Sequence, residues 1–545
     1  LSTPYELHRV RFGKQWGRAA AHLRPFAHRS ARLRDLQQTS YCTLLAHEDK
    51  TFPGAFVASL SIPWGYAKGD QDRGGYHLVW TRDLVQIAGG LLASGDHRTP
   101  LRTLIYLAAS QLPDGGFPQN FWVDGTAYWG GLQLDEVAFP ILLADKLRRE
   151  DALAAFDPYP MVLAAARYLV ENGPATQQER WEEASGYSPS TLAVTIAACV
   201  VAAEFAAERG DRGTSDFLLA YADFLEGHLE RWTVTRHGTL DASIPQHYIR
   251  IHPVPVGETM PDENPENGVL TLANQPPGAP QTFPAKEVVD AGFLELVRHG
   301  VRRANDPLIV ESVKLVDRVL RVDTPEGPCW HRYNHDGYGQ RDDGGPFEEW
   351  GTGRAWPLLT GERGHYELAA GRPVAPFLDA MARFASSTGL LSEQVWDAPE
   401  LASQHLVAGK PTGAAMPLAW AHAEFLKLLR SAEDGEVFDR IPTVEARYRN
   451  RDPTRTAWEV WKPNRQPGFV DRSERLRVMA PEPFRLRWTM DDWTQTEETT
   501  SSGTGLGIDF VDLPFPVPVD TVFEFTFYWT GRDAWEGSNR SVRVL

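Results

Sequence analysis

The sequence predicts a mainly α fold with a small C-terminal all-β module. Three observations carry that expectation. About twelve runs place apolar residues at helical spacing. Long loops rich in Gly, Trp, Asp and Pro separate these runs. From about Trp458 the pattern changes to period two, with turn residues between short runs. The chain has 545 residues, too long for one ordinary core, so two domains are expected.

Taken in order, residues 1–29 read as a basic, lightly amphipathic connector. Helical runs follow at 30–49, 81–94, 99–112, 133–150, 160–173, 190–208, 214–232, 286–299, 306–320, 357–371, 374–387 and 413–431. Together they make one helical domain over 30–440. That number of helices, with long loops between them, gives an all-α domain. The segment 445–545 reads as a small antiparallel β module, with strands in AWEVW, ERLRVMA, FRLRWTM, TVFEFTFYW and SVRVL. GTGLG at 503–507 precedes no helix and reads as turn glycines, not a phosphate loop.

Composition excludes several function classes. The net charge is -17, with 72 acidic against 55 basic residues, so a nucleic-acid partner is not expected. No long run is free enough of polar breaks to suggest a membrane partner. The three cysteines, Cys42, Cys199 and Cys329, form no CxxC, so neither a metal site nor a disulfide framework is indicated. Tryptophan is abundant at 18 residues, which suits either large cores or aromatic clefts that stack on sugars. The chain begins at Leu1 without a signal peptide and reads as trimmed.

Three stretches carry chemistry. RWEEASGYSPS sets Glu182 and Glu183 directly after Trp181, in a loop before an apolar helix. An aromatic neighbour raises a carboxyl pKa, as a general acid needs. LLSEQVWD places Glu393 far downstream, and YHLVWTRD sets Arg82 and Asp83 at a helix start. There the macrodipole alone would also favour Asp83.

Together these stretches resemble the glucoamylase family, glycoside hydrolase family 15. ASLSIPWG and GERGHYEL make the resemblance closer to the bacterial branch, and it covers about 30–440. It implies an (α/α)6 barrel, a six-hairpin toroid, with a small C-terminal all-β module added. It implies Glu182 as general acid and Glu393 as general base, with Glu183 contacting the sugar beyond the cleavage point. Arg82 and Asp83 would grip the outer hydroxyls of the terminal glucose. Tyr76 would line that subsite and hold the water, with Trp80 packed beneath. Trp181 flanks the acid. In TAYWGGLQLDE, Trp129, Gln133 and Asp135 match a substrate-binding loop of the family whose tryptophan borders the acid, and Arg332 in WHRYNHDGYG matches a glucose-binding arginine. Trp356 and Trp420 match pocket walls, although a core role suits Trp420 equally well.

Bacterial relatives carry an N-terminal β-sandwich that is not seen here, so the connector would be the remnant of that junction. TRD stands where PRD is expected. The implied activity is an inverting, exo-acting α-glucosidase (glucan 1,4-alpha-glucosidase) that releases β-D-glucose from α-glucans or malto-oligosaccharides. The chain is expected to be a monomer in a secreted or periplasmic location. Two carboxylates need no cofactor, though a structural calcium is compatible. The implied pH profile is a bell on the acidic side of neutral. Rival readings are an α-1,6 glucodextranase or isomaltose-type hydrolase, a trehalase-like member, and a noncatalytic glucan-binding protein. A phosphorylase is disfavoured by Glu393. The end of the module, with Trp535, Asn539 and Arg540, faintly resembles family-20 starch-binding modules. The expectation favoured is a docked structural module, with Trp535 covering its core or docking it on the ring.

Overall fold

The computed structural model describes residues 4–26, 30–65, 75–449 and 457–545. The ends of the 1–29 connector and the start of the 445–545 module therefore lie partly outside the described residues.

Each of the twelve expected runs contains a helix. They are α2 (Ala31–His47), α3 (Thr81–Ala93), α4 (Arg98–Ser110), α5 (Leu134–Arg149), α6 (Tyr159–Asn172), α7 (Pro189–Glu208), α8 (Arg212–Thr233), α9 (Leu294–Arg298), α10 (Pro307–Val319), α11 (Pro357–Ala369), α12 (Ala375–Phe384) and α13 (Ala419–Asp434). Two more were not anticipated. α1 (Tyr5–Ala20) turns most of the connector into a helix with no buried residue, and α14 (Pro442–Tyr448) leads toward the β module.

Local chemistry sets several boundaries. Ser30 and Asp211 cap α2 and α8, each accepting a backbone N–H from its helix's first turn. Pro opens α7, α10 and α11, where its missing N–H costs nothing. α9 is far shorter than the run 286–299. Asp290 pairs in a β-bridge with Tyr333, and its side chain accepts from Gly292 N at 2.9 Å. After a single 3-10 turn at Ala285–Glu287 the backbone is extended at that point, and α-helix starts only at Leu294.

The odd-numbered helices α3, α5, α7, α9, α11 and α13 each pack on the next, and α13 packs back on α3. This closes a ring of six. α2, α4, α6, α8 and α12 pack outside that ring, and α10 lies against short strands near its edge. Burial follows position. Every residue of α3 is buried, whereas α10 buries only the face of Ile309, Ser312, Val313, Leu315 and Val316. α7 is apolar and long enough to cross a membrane, which the sequence reading did not credit, yet it is 89% buried as an inner helix. Small residues let inner helices approach: a Cβ on Gly90 of α3 would lie 2.8 Å from Ala423 Cα of α13.

The C-terminal module is two sheets. One has the order 457–461, 474–480, 509–512, 502–503. The other runs 469–470, 540–544, 522–529, 484–489, 497–500, with 534–535 paired to 522–529. The expectation of an antiparallel module needs correction, because 457–461 pairs parallel with 474–480 and 469–470 parallel with 540–544. These two connections cross between sheets instead of turning back as hairpins. Trp461, Val478, Leu486, Phe525 and Phe527 fill the space between the sheets.

The first sheet docks on the ring. Val460, Met479, Leu506 and Ile508 join the ring's own hydrophobic core. Phe510 meets Phe217 of α8 at 5.3 Å between ring centroids. The GTGLG turn sits on the capped start of α8, with Gly505 N bonded to Thr214 Oγ1 at 2.7 Å. Trp535 does neither job expected of it. It is 43% exposed on the other sheet, edge-on to Tyr528.

Candidate active site

The loops that enter the inner helices surround one cavity of about 1050 Å³. Glu182 lies on the loop before α7 and Glu393 on the loop before α13. α7 and α13 are three steps apart in the ring of six, so the two carboxylates enter from opposite sides of its axis. That opposition needs the closed ring and could not be read from spacing.

Glu182 holds a left-handed backbone, φ 66°, which is costly for a residue with a Cβ. Its N–H bonds to Glu179 O at 2.7 Å, so a tight turn fixes the strained residue and aims its side chain into the cavity. Gln119 Nε2 donates to Oε2 at 2.7 Å, and Arg82 Nη1 stands 3.6 Å from Oε1. Burial raises the Glu182 pKa, while Arg82 and Gln119 oppose the rise.

Glu393 is buried against two phenols. Tyr76 donates to its Oε1, and Tyr338 OH lies 3.2 Å from Oε2. Burial pushes its pKa up to about 7, against the pull of Tyr76, Arg332 and Tyr338. Tyr76 thus falls where it was expected. Tyr338 was missed, although it lies in the quoted WHRYNHDGYG stretch, six positions after Arg332.

Arg82 and Asp83, at the start of α3, both line the cavity. Burial lifts Asp83 to about 7, with Arg82 pulling the other way. Gln133 and Asp135 take a different place from the one expected. Neither lines the main cavity. Both stand behind Arg82, with Asp135 Oδ2 accepting from its Nε at 2.7 Å and Gln133 Oε1 accepting from Nη2. A buried guanidinium needs such acceptors, so these residues hold Arg82 in place.

Glu183 is held by three donors. Arg250 Nη2 reaches Oε2 at 2.9 Å, Arg332 Nη2 reaches Oε1 at 3.1 Å, and Tyr333 OH also donates to Oε2. Arg332 is fixed by Asp336 through two bonds of 2.7 Å. Sequence reasoning missed Arg250, Tyr333 and Gln119, and no local pattern marks Arg250 or Gln119. Aromatics complete the wall. Trp181 and Trp356 meet at 5.6 Å, Trp420 lines the cavity from the start of α13, and Trp80 packs with Ala58 and Leu78. Trp129 lines the cavity and is 42% exposed; Arg341, which stacks on Trp350 at 4.1 Å, lines it too. Trp64, from ASLSIPWG, packs on Tyr338 and also lines the cavity.

Among the described residues, His228, Glu459 and Glu474 form the one cluster with metal-ligand spacing. It lies at the joint with the β module, away from the cavity. Arg465 already donates to Glu459 at 2.5 Å, and a histidine nitrogen is not a donor that calcium prefers.

Comparison with known proteins gives a consistent picture. Residues 31–114 and 108–430 match the profile of the family described as glycosyl hydrolases family 15. A glucoamylase from Clostridium sp. (strain G0005) is 41% identical over 448 residues, covering 82% of this chain and 60% of that protein. The crystal structure of a bacterial glucoamylase complexed with acarbose is 39% identical, with a TM-score of 0.73, over 82% of this chain and 62% of that one. Hormoconis resinae glucoamylase is 15% identical and shares the fold, with a TM-score of 0.51 over 94% of this chain and 95% of its own. The chain thus spans about 60% of the length of the curated relative it matches.

Proposed function

The chain belongs to glycosyl hydrolases family 15, and from that premise we propose that it is an inverting, exo-acting α-glucosidase of the glucoamylase type. Its substrates would be α-glucans or malto-oligosaccharides, cut from the non-reducing end to give β-D-glucose. Glu182 protonates the glycosidic oxygen as the C–O bond breaks. Glu393 takes a proton from a water that attacks the anomeric carbon from the opposite face. Asp83 and Arg82 hold the terminal sugar's hydroxyls, and Arg332 with Glu183 meets the next sugar. Two carboxylates supply the acid and the base, so these steps call on no cofactor.

The observation that carries this reading is the pair of carboxylates entering one cavity from opposite sides of the ring axis. An inverting hydrolase needs that opposition, because acid and water act on opposite faces of the sugar. Similarity to a glucoamylase solved with acarbose adds the expectation that acarbose binds here and inhibits.

The test is glucose release from maltose, isomaltose, trehalose and dextran, with the fresh product followed by NMR. β-Glucose from maltose is the expected result. α-Glucose would exclude inversion, and no release from any of the four would favour a glucan-binding protein.

A further inference from the structure

The side chain of Glu393 does not meet its surroundings through a single partner. Tyr76 and Tyr338 each reach a different oxygen of the carboxylate. The two phenol oxygens also stand 2.7 Å from each other. Three side chains therefore close a triangle with three hydrogen-bond edges.

Counting protons shows what the triangle can do. A phenol brings one proton and an ionised carboxylate none. Two protons leave one of the three edges empty while Glu393 is ionised. A protonated Glu393 supplies the third, and every edge can then be filled with the oxygens where they already stand.

Tyr338 is held in place from several sides. Its N–H bonds to Asp336 Oδ1 at 2.8 Å, and its carbonyl accepts from Gln394 Nε2 at 3.1 Å. Its ring packs on Trp64 at 5.9 Å and on Phe347 at 5.0 Å. It also stands between two glycines that leave the backbone no freedom. A Cβ on Gly337 would lie 2.0 Å from Asn274 O, and Gly339 has φ 158° with Thr352 O at 2.3 Å from its Cβ position.

We propose that Tyr338 is a positioning residue for the base: with Tyr76 it forms a proton-sharing triangle that takes up the proton Glu393 removes from the attacking water. The inference rests on the proposed function. In the reaction, one water O–H bond breaks and the water oxygen bonds to the anomeric carbon. The glycosidic bond breaks with its electron pair on the leaving oxygen, which takes the proton of Glu182. The water's proton moves to a Glu393 oxygen, and Glu393 O–H then donates to a phenol oxygen. After product release that proton leaves to solvent and Glu182 is reprotonated.

Among the described residues, the titratable and charged groups facing Glu393 are Tyr76 before α3, and Tyr338 and Arg332 before α11. Across the cavity stand Glu182, Arg82 and Asp83. Of the near set, Tyr338 can be changed by a single oxygen without touching the grip on the sugar.

The experiment compares kcat and KM against pH for the wild type, Tyr338→Phe, Tyr76→Phe and the double variant on maltose. Tyr338→Phe loses a donor to the ionised base, so the ascending limb moves to higher pH. kcat falls about tenfold, as expected for a lost bond to a charged group, and KM changes little. The double variant loses less than the product of the singles, because the two hydroxyls share one triangle. Replacing Tyr338 by 3-fluorotyrosine, a stronger donor of the same shape, moves the limb the other way and serves if the Phe variant does not fold. An unmoved limb in a folded Tyr338→Phe or fluorotyrosine protein, or strictly multiplicative losses, overturns the proposal. A wild type that releases no glucose would instead overturn the functional reading beneath it.

Discussion

In the proposed mechanism Glu393 and Glu182 do opposite work with the same functional group, and their surroundings are what separate them. Glu393→Gln removes the proton acceptor but keeps the shape, so kcat should fall about 10²–10⁴-fold while acarbose still binds. Near-normal turnover would remove Glu393 from its role. Glu182→Gln should be severe on maltose and mild on glucosyl fluoride, whose leaving group needs no acid. Equal loss on both would disprove the acid assignment. Burial shifts both carboxyls upward. The base must be ionised, so activity should rise with pH through about 7, where Glu393 loses its proton. The descending limb reports loss of the Glu182 proton, whose carboxyl burial also raises from its ordinary value. The ascending limb therefore lies nearer neutrality than the acidic-side profile that family resemblance alone suggests. A profile flat from about pH 4 to 9 would contradict two-carboxylate catalysis.

At the scale of elements, the site depends on how closely the inner helices approach. α3 carries Arg82 and Asp83 at its start, and α13 carries Trp420. Gly90 sets their separation, because its Cβ position lies only 2.8 Å from Ala423 Cα. Gly90→Leu should cost about 1–3 kcal/mol in stability through overpacking. It should also lower kcat/KM, because the two walls of one cavity are pushed apart. Gly227 on α8 has nothing within 4 Å of its Cβ position. Gly227→Ala should raise stability by about 0.4–1 kcal/mol and leave kcat/KM alone. Thermal melting and kinetics on the pair check both statements. Equal effects at the two sites would mean that helix approach does not govern the site.

At the scale of the whole molecule, the β module is tied to the ring by buried charge as well as apolar contact. Arg465 bridges Glu459 of the module and Glu263 of the ring, with Nε to Glu263 Oε1 at 2.7 Å. Removing one member of such a set strands the others in a dry joint. Arg465→Met should therefore destabilise by about 3–5 kcal/mol, visible as a lowered Tm, with activity on maltose unchanged below the melt. Deleting 445–545 should act in the same direction, because it uncovers Phe217 and His228. If the Tm stayed constant and only adsorption to raw starch were lost, the module would be a binding domain, with exposed Trp535 its first suspect.

Much of this molecule was legible in one dimension. The 3.6-residue spacing marked the helices of the ring, because an inner or outer helix must bury a stripe or all of its surface. The loops around Arg82, Glu182, Arg332 and Glu393 could be picked out through their resemblance to a known family's motifs, since residue type alone does not separate two glutamates from a chain with 72 acidic residues. Other features belong to three dimensions. The opposition of Glu182 and Glu393 follows from ring closure, which brings together loops far apart in the chain. Gln133 and Asp135 look like substrate ligands in sequence, yet they serve Arg82, because a buried guanidinium recruits whatever acceptors the packing sets beside it. Tyr338 and Arg250 act through distant partners, and a partner across the fold leaves no periodicity or spacing in the chain that carries it.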